Sequence, residues 1–363
     1  MARPLVAVDG RLMFHRRAGI SQYTRGLVRG LAALSDPRFD LLLLLDRRDR
    51  DLDWVPPGLA VARTLTPAHH RLEALAWPVE LAARWPRLRV LHAPDFIAPR
   101  GRFRKVITIH DLYFMEHPEV MGDDGRRYYA GTPASAARAD AIIAVSAATR
   151  ADIARLLGAR AAKRTTVIDE AGAIPQRAPR APDDDAPFAL FVGTFEPRKN
   201  LETLLRALAL PAAAGVRLTL VGEAGWGDSA PARLAAELGV AGRVQLAGRV
   251  SDAELDALYA RARVVVAPSL SEGFGLPALE ALARGVPLIC AEAGALAEVA
   301  GPAALMHPPR DAEALATQLG GIWTDADLRV GLAARGRARA AGYSWARAAR
   351  ETAEVYGRML GDV

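Results

Sequence analysis

At 363 residues, 51% of them hydrophobic, the chain is long enough for two ordinary domains with buried cores. Its apolar segments fall far short of the roughly 20 residues a membrane-spanning helix needs, and Met1-Ala2-Arg3-Pro4 runs straight into an apolar strand, which predicts no signal peptide. One cysteine, Cys290, excludes an intrachain disulfide and a cysteine-based zinc cluster, and fits a reducing compartment.

The net charge of +6 is carried almost wholly by arginine, 44 residues against three lysines (Lys105, Lys163 and Lys199). A basic balance favours nucleic acid, an anionic membrane surface or phosphate-bearing substrates. Nucleic acid is the weakest of these, because no recognition motif or basic-aromatic stripe is present. A compositional bias towards Ala and Arg accounts for most of the charge.

In chain order, the first half alternates apolar runs with helical patterns. Leu5 to Val8 reads as a strand and Ser21 to Leu34 as a helix with Ser21 as candidate cap. Leu41 to Leu45, Val90 to His92 and Val106 to Ile109 read as buried strands, and Ala141 to Val145 is another short apolar run. Arg71 to Arg89 mixes Trp77, Trp85 and leucines with arginines. It suits either a membrane-surface or lipid-acceptor helix or an ordinary helix under the first sheet; Pro78 and Pro86 interrupt a long amphipathic helix and favour the second. The whole pattern predicts a parallel sheet with helices on both faces.

Between Ala171 and Pro187 the composition changes. Pro175, Pro179, Pro182 and Pro187, with Asp183-Asp184-Asp185, predict an exposed linker. The alternation then restarts, with strand candidates at Phe188 to Val192, Arg217 to Val221, Val244 to Leu246, Val264 to Ala267 and Leu288 to Cys290. Helical segments fall near Leu201 to Leu210, Pro231 to Leu238, Asp252 to Arg261 and Pro277 to Arg284, which predicts a second doubly wound domain. Cys290, on a buried strand, reads as structural. The expected boundary divides residues 1–175 from 176–343, and a last helix in 344–363 is able to pack back on the first domain.

Two junctions in the second half carry chemistry. In Ser269-Leu270-Ser271-Glu272-Gly273-Phe274-Gly275-Leu276-Pro277-Ala278-Leu279-Glu280, a strand, a glycine loop and a helix start meet. Pro277 suits the first helical position, and the free N–H groups of a helix start attract anions or sugar oxygens. Glu280 is expected in the first helical turn and Glu272 in the loop before it. A glycosidase dyad needs carboxyls facing each other across one bond, roughly 5–9.5 Å apart; two glutamates strung along a loop and helix suit different parts of one ligand instead. A plain glycine turn with solvated acids is the simpler alternative for the loop taken alone. The second junction, Phe191 to Asn200, sets Arg198 and Lys199 beside another helix start, where an anion is already favoured; a solvated basic turn is its plain alternative.

Other signals are weaker. Ser251 or Asp252 suits a helix cap, and an aspartate there is also able to accept from a guanine edge. Glu223 to Trp226 is a candidate pocket wall, with Trp226 equally suited to a core. Gly222 to Gly227 has the wrong spacings for dinucleotide binding. Asp51-Leu52-Asp53 lies in a polar loop without strand context, so no Asp-x-Asp metal site is expected.

At these residues the chain resembles the retaining glycosyltransferases of family four, the group 1 glycosyltransferases with the GT-B fold, and among them bacterial mannosyltransferases. The likeness runs through FVGTFEPRKNLETLL, LTLVGEAGWG, VQLAGRVSDAELDALYARARVVVAPSLSEGFGLPALEALARGVPLI and AGALAEVAGPAALMHPPRDAEALA, and in the first half through RAGISQYTRGLVRGL, HAPDFIAP, VITIHDLYFMEHPE and RADAIIAVSAATRADI. The resemblance implies two Rossmann-like doubly wound domains facing across a cleft that holds the active site. It implies a nucleotide-sugar donor, GDP-mannose in the mannosyl branch, and a glycan or lipid-linked acceptor. Arg198 and Lys199 would hold the diphosphate, Glu280 the ribose and Glu272 the sugar hydroxyls. Phe274, Gly275 and Leu276 would offer backbone N–H groups, and Val250 and Asp252 would face the base. In the first domain the Gly19 loop would close over the diphosphate, and His110 would sit near the sugar with Asp111 supporting it.

Metal-free transfer without a cofactor is expected, with acceptor attack on the face the leaving group departs from. Cytoplasmic placement follows, and peripheral contact with the inner face of the membrane is compatible with it. A nucleotide-sugar epimerase of the same fold and a non-catalytic nucleotide-sugar-binding protein are the competing classes. Two stretches depart from the pattern. Val167-Ile168-Asp169-Glu170-Ala171-Gly172 stands where many relatives carry an Asn-Gly turn, and Gly19 follows Arg17-Ala18 without a Gly-Gly pair.

Overall fold

The computed structural model describes residues 3–15, 18–68, 70, 72–120, 122, 125–126, 129–172, 187–225 and 230–361. The chain divides into two compact units, Met1–Ala171 with Ser344–Val363, and Gly172–Tyr343.

The first unit is built on seven strands: β1 (Leu5–Asp9), β2 (Asp40–Asp46), β3 (Ala60–Thr64), β4 (Leu88–Ala93), β5 (Arg104–Ile109), β6 (Ala141–Ala144) and β7 (Thr165–Val167). They lie in the order β3-β2-β1-β4-β5-β6-β7, every pair parallel. The second unit holds β8 (Ala189–Val192), β9 (Leu218–Val221), β10 (Val244–Gly248), β11 (Val264–Ala267), β12 (Leu288–Ala291) and β13 (Leu305–His307). Their order is β10-β9-β8-β11-β12-β13, again all parallel. Strands covered on both faces need unbroken apolar runs rather than alternation. That is why β2, β6, β11 and β12 stand out in the sequence. In each sheet the order reverses beside the first strand, at β1/β4 and β8/β11. Loops leaving the carboxyl ends at such a reversal are splayed apart, and open α/β sheets bind ligands there.

Several expectations are corrected. The first helix spans Ala18–Leu34, so Ser21 does not cap it and Gly19 lies in its first turn rather than in a loop. Ser21 is buried one turn ahead of Thr24 and two turns ahead of Val28 on the same inward face, and packing of that face carries the helix past the residue whose side chain suggested a start. Arg17 lies outside the described residues. The Glu73–Arg84 helix runs through Pro78 and ends before Trp85-Pro86, where the residue preceding a proline is steered out of the helical region. Trp77 and Leu81 are buried in the core with Ala7, Leu42, Leu44 and Leu91, while Leu72, Leu75 and Val79 point outward. Strands β3, β7 and β13 and the helices Gly294–Ala300, Ala312–Thr324 and Ala326–Ala340 were not anticipated. Of the linker residues, Pro175, Pro179, Pro182 and Asp183 to Asp185 lie outside the described residues.

The last helix, Trp345–Leu360, capped by Ser344, belongs to the first unit and packs on the Ala18–Leu34 helix. Gly26 and Gly30 allow this approach: a Cβ at Gly30 would stand 2.6 Å from the Trp345 carbonyl oxygen. Cys290 is fully buried on β12, and burial pushes its thiol up to about 12. No helix among the described residues is long and apolar enough to cross a membrane.

Candidate functional site

In the second unit the reversal point is flanked by the loop from Gly193 to Lys199, leaving β8, and the loop from Pro268 to Gly275, leaving β11. Asn200 ties them together. It sits in the left-handed region (φ +56°), which asparagine tolerates better than other residues bearing a Cβ. Its Nδ2 donates to the carbonyls of Pro268 (2.9 Å) and Pro309 (2.6 Å), and its Oδ1 accepts from Thr203 (2.8 Å). The backbone adds a bond from Leu270 N–H to the Arg198 carbonyl at 2.8 Å.

This tie brings Arg198, Lys199 and Glu272 into one ion cluster. Lys199 Nζ lies 2.6 Å from Glu272 Oε1 and Arg198 Nη1 lies 3.0 Å from Oε2. Ser269 donates to Oε1 at 2.7 Å, and Arg198 also pairs with Glu196 at 2.7 Å. The three side chains at the centre are 11–15% exposed. Burial by itself would raise the Glu272 pKa. The charges of Lys199 and then Arg198, with hydrogen bonds from Lys199 and Ser269, outweigh it and hold the carboxyl at about 2.

The helix that follows spans Leu276–Arg284, with Gly275 as its cap at φ +99°. A Cβ there would stand 2.7 Å from Leu296 Cδ2, so both conformation and space call for glycine. Pro277 therefore takes the second helical position rather than the first. Glu280 falls in the second turn rather than the first; it is buried and accepts from Tyr259 at 3.2 Å. The Phe274 ring is buried edge-on to Tyr343. Among the described residues, the backbone N–H groups of Phe274, Gly275 and Leu276 have no acceptor. Orphan donors at a helix start, beside two cations, form a site suited to an anion.

Val250 and Asp252 stand outside the cluster, at the end of β10, separated from β8 by β9. The cap of the Asp252–Arg261 helix is Ser251, in a reciprocal pair with Glu254, which leaves Asp252 exposed as the first helical residue. Phe195 N–H donates to the Glu223 carbonyl at 2.8 Å, placing Glu223 beside the Arg198 loop; Trp226 lies outside the described residues.

In the first unit His110 follows β5. Its Nδ1 is 2.7 Å from Glu170 Oε1, its Nε2 is 3.1 Å from the Pro94 carbonyl oxygen, and its own carbonyl accepts from Thr149 at 3.1 Å. Asp111 does not support the ring: its carboxylate accepts from the backbone N–H of Tyr113 at 3.2 Å, and Glu170 takes that place. Sequence reasoning missed Glu170, Ser269 and the bridging role of Asn200. The departure at Asp169-Glu170 was the one available signal for the first of these.

Residues 174–339 match the family described as "Glycosyl transferases group 1", and residues 18–168 match "Glycosyl transferase 4-like domain". The O-antigen chain mannosyltransferase B of Escherichia coli is 34% identical over 282 residues, 74% of this chain and 74% of that protein. The MMP α-(1→4)-mannosyltransferase of Mycolicibacterium hassiacum is 41% identical over 135 residues, 36% of this chain and 33% of that protein. Among solved structures, a sucrose-phosphate synthase from Thermosynechococcus elongatus superposes with a TM-score of 0.78 at 24% identity, covering 99% of this chain and 100% of that one. Anabaena HepE in complex with UDP-glucose gives 0.73 at 19% identity, covering 98% and 100%. The structural likenesses speak to the fold alone, which is GT-B. With the sequence likeness extending over three quarters of the chain, the protein belongs to the group 1 glycosyl transferases and is a glycosyltransferase.

Proposed function

We propose that this glycosyltransferase is a retaining, metal-independent mannosyltransferase. It moves mannose from GDP-mannose to a glycan or lipid-linked acceptor in surface polysaccharide or glycolipid synthesis. The observation that carries the reading is the Arg198–Lys199–Glu272 cluster beside three orphan N–H groups. A departing diphosphate gains negative charge, and preorganised cations and helix-start donors stabilise it without reorganising. In this reading Arg198 grips bidentately and Lys199 acts as a point charge. Glu272 holds the sugar hydroxyls, Glu280 the ribose, and Val250 and Asp252 face the base. The mannosyltransferases among the relatives support the choice of sugar.

A thermal-shift panel tests the donor. GDP and GDP-mannose are expected to raise Tm more than UDP, ADP or their sugars, since a ligand at 100 times its Kd adds about 2.7 kcal/mol to the native state. A preference for UDP, the nucleotide of the Anabaena complex, overturns the mannosyl reading. Charge neutralisation is assigned to Arg198 and Lys199. Transfer is therefore expected to proceed unchanged in excess chelator, and a loss of rate restored by a divalent cation contradicts that part. Peripheral membrane contact belongs to the same proposal, supported by the outward Leu72, Leu75 and Val79.

A further inference from the structure

The His110 ring is held between two oxygens. Nδ1 faces the Glu170 carboxylate at 2.7 Å and Nε2 faces the Pro94 carbonyl at 3.1 Å. A carbonyl and an ionised carboxylate only accept hydrogen bonds, whereas a neutral imidazole has one N–H and one lone pair. A neutral ring in this place would turn its lone pair on one of the two oxygens. A ring protonated on both nitrogens satisfies both.

We propose that Glu170 is a positioning residue that keeps His110 as an imidazolium, so that His110 serves as a fixed cation at the end of β5 and not as a proton acceptor. The surroundings agree. Glu170 reaches the ring from the segment after β7. Asp95, after β4, adds a second negative charge, and Asp111 is next in the chain. Tyr23, from the Ala18–Leu34 helix, packs edge-on at 4.8 Å. His92, on β4, is tied to Tyr356 (2.6 Å) and Thr108 (2.8 Å). Burial, then the charge of His110, pushes its pKa down to about 3, so this second ring stays neutral. Burial opposes the charge on His110 itself, but the hydrogen bond and charge of Glu170, with Pro94 and Asp95, raise its pKa above the ordinary value.

The sign of the pH effect separates cation from base. A raised folded pKa means that the stabilisation is fully present below about 6.5, the ordinary histidine value, and is lost as pH rises through the folded pKa. If His110 acts as a cation, kcat falls over that same rise. If it acts as a base, kcat climbs.

The experiment is ¹⁵N NMR of the full chain labelled at its seven histidines, with His110 assigned by the signal missing in His110→Gln. Protonation of both His110 nitrogens at neutral pH is expected. Glu170→Gln is expected to shift the titration to lower pH, moving the alkaline fall of kcat with it and cutting kcat about tenfold on that side for each tenfold drop in proton affinity. A lone pair on either nitrogen of the native protein at neutral pH overturns the proposal, as does a titration unmoved by Glu170→Gln or a rate that climbs through it. The native-protein titration decides even if Glu170→Gln fails to fold. The link to transfer rests on the reading above, but the spectrum reads the ring without turnover. A neutral ring would leave the donor assignment standing, and a UDP preference would leave the imidazolium standing.

Discussion

Glu272→Gln is expected to lower kcat by about 10²- to 10³-fold, the range seen when one transition-state hydrogen-bonding group is removed, while GDP binding is kept or tightened. Glutamine preserves the shape of the side chain and removes its charge. Lys199 and Arg198, at 2.6 and 3.0 Å, then lose their shared internal counter-ion in a site only 11–15% exposed. A diphosphate meeting those cations gains what the carboxylate gave up. On the proposed role of Glu272, the sugar loses a charged acceptor, worth about 1.5–3 kcal/mol as a hydrogen bond. Steady-state kinetics with GDP calorimetry checks both halves. Unchanged turnover removes Glu272 from the mechanism, and loss of GDP binding shows that the cluster needs the carboxylate to hold its shape.

The same variant tests the acid limb of stability. The Glu272 carboxyl is held at about 2, against about 4.3 in an unfolded chain. Its contribution is present above about 4.3 and is lost as pH falls towards 2. Urea unfolding across that window is expected to show a smaller acid loss in Glu272→Gln than in the native protein.

Gly30→Val is expected to destabilise the first unit by about 3 kcal/mol, the upper end of the usual cost of overpacking. A Cβ at this position meets the Trp345 carbonyl oxygen at 2.6 Å and Ala349 Cβ at 2.8 Å. The first of these is backbone and cannot swing aside, so the two helices must separate. Helix propensity works the other way, but replacing glycine by even the best helix former gains only about 1 kcal/mol. Gly19→Ala is the control: it lies in the same helix with nothing within 4 Å of its added Cβ, and is expected to be neutral or slightly stabilising. A denaturation midpoint for Gly30→Val at or above the native value shows that the helices do not pack this closely.

Apolar runs placed most of the buried strands to within a residue or two, because a central parallel strand must be apolar on both faces. The short edge strands were lost for the converse reason. Ala60–Thr64 is only partly buried, and Thr165–Val167 and Leu305–His307 have three residues each, too few for a pattern. The Ala326–Ala340 helix is rich in arginine and alanine, buries Leu332, Gly336 and Ala340, and packs on the Leu276–Arg284 helix with Gly336 against Leu282, so most of what it buries is small and hydrophobicity does not mark it.

By itself, then, the sequence determined two doubly wound layers, the strand-to-helix junctions at Arg198-Lys199 and Glu272 to Glu280, and membership of a glycosyltransferase family. Local spacing and apolar pattern are enough for the layers and the junctions, and the family follows from likeness to known sequences. Only the tertiary structure decided who partners whom. Lys199 meets Glu272 across 73 residues, His110 meets Glu170 across 60, and Asn200 reaches Pro309 across 109. Those pairings depend on which parallel strands become neighbours, and strand order is set by packing of the whole sheet. No local feature of Glu170 names His110 as its partner, yet that partner decides whether the histidine carries a charge.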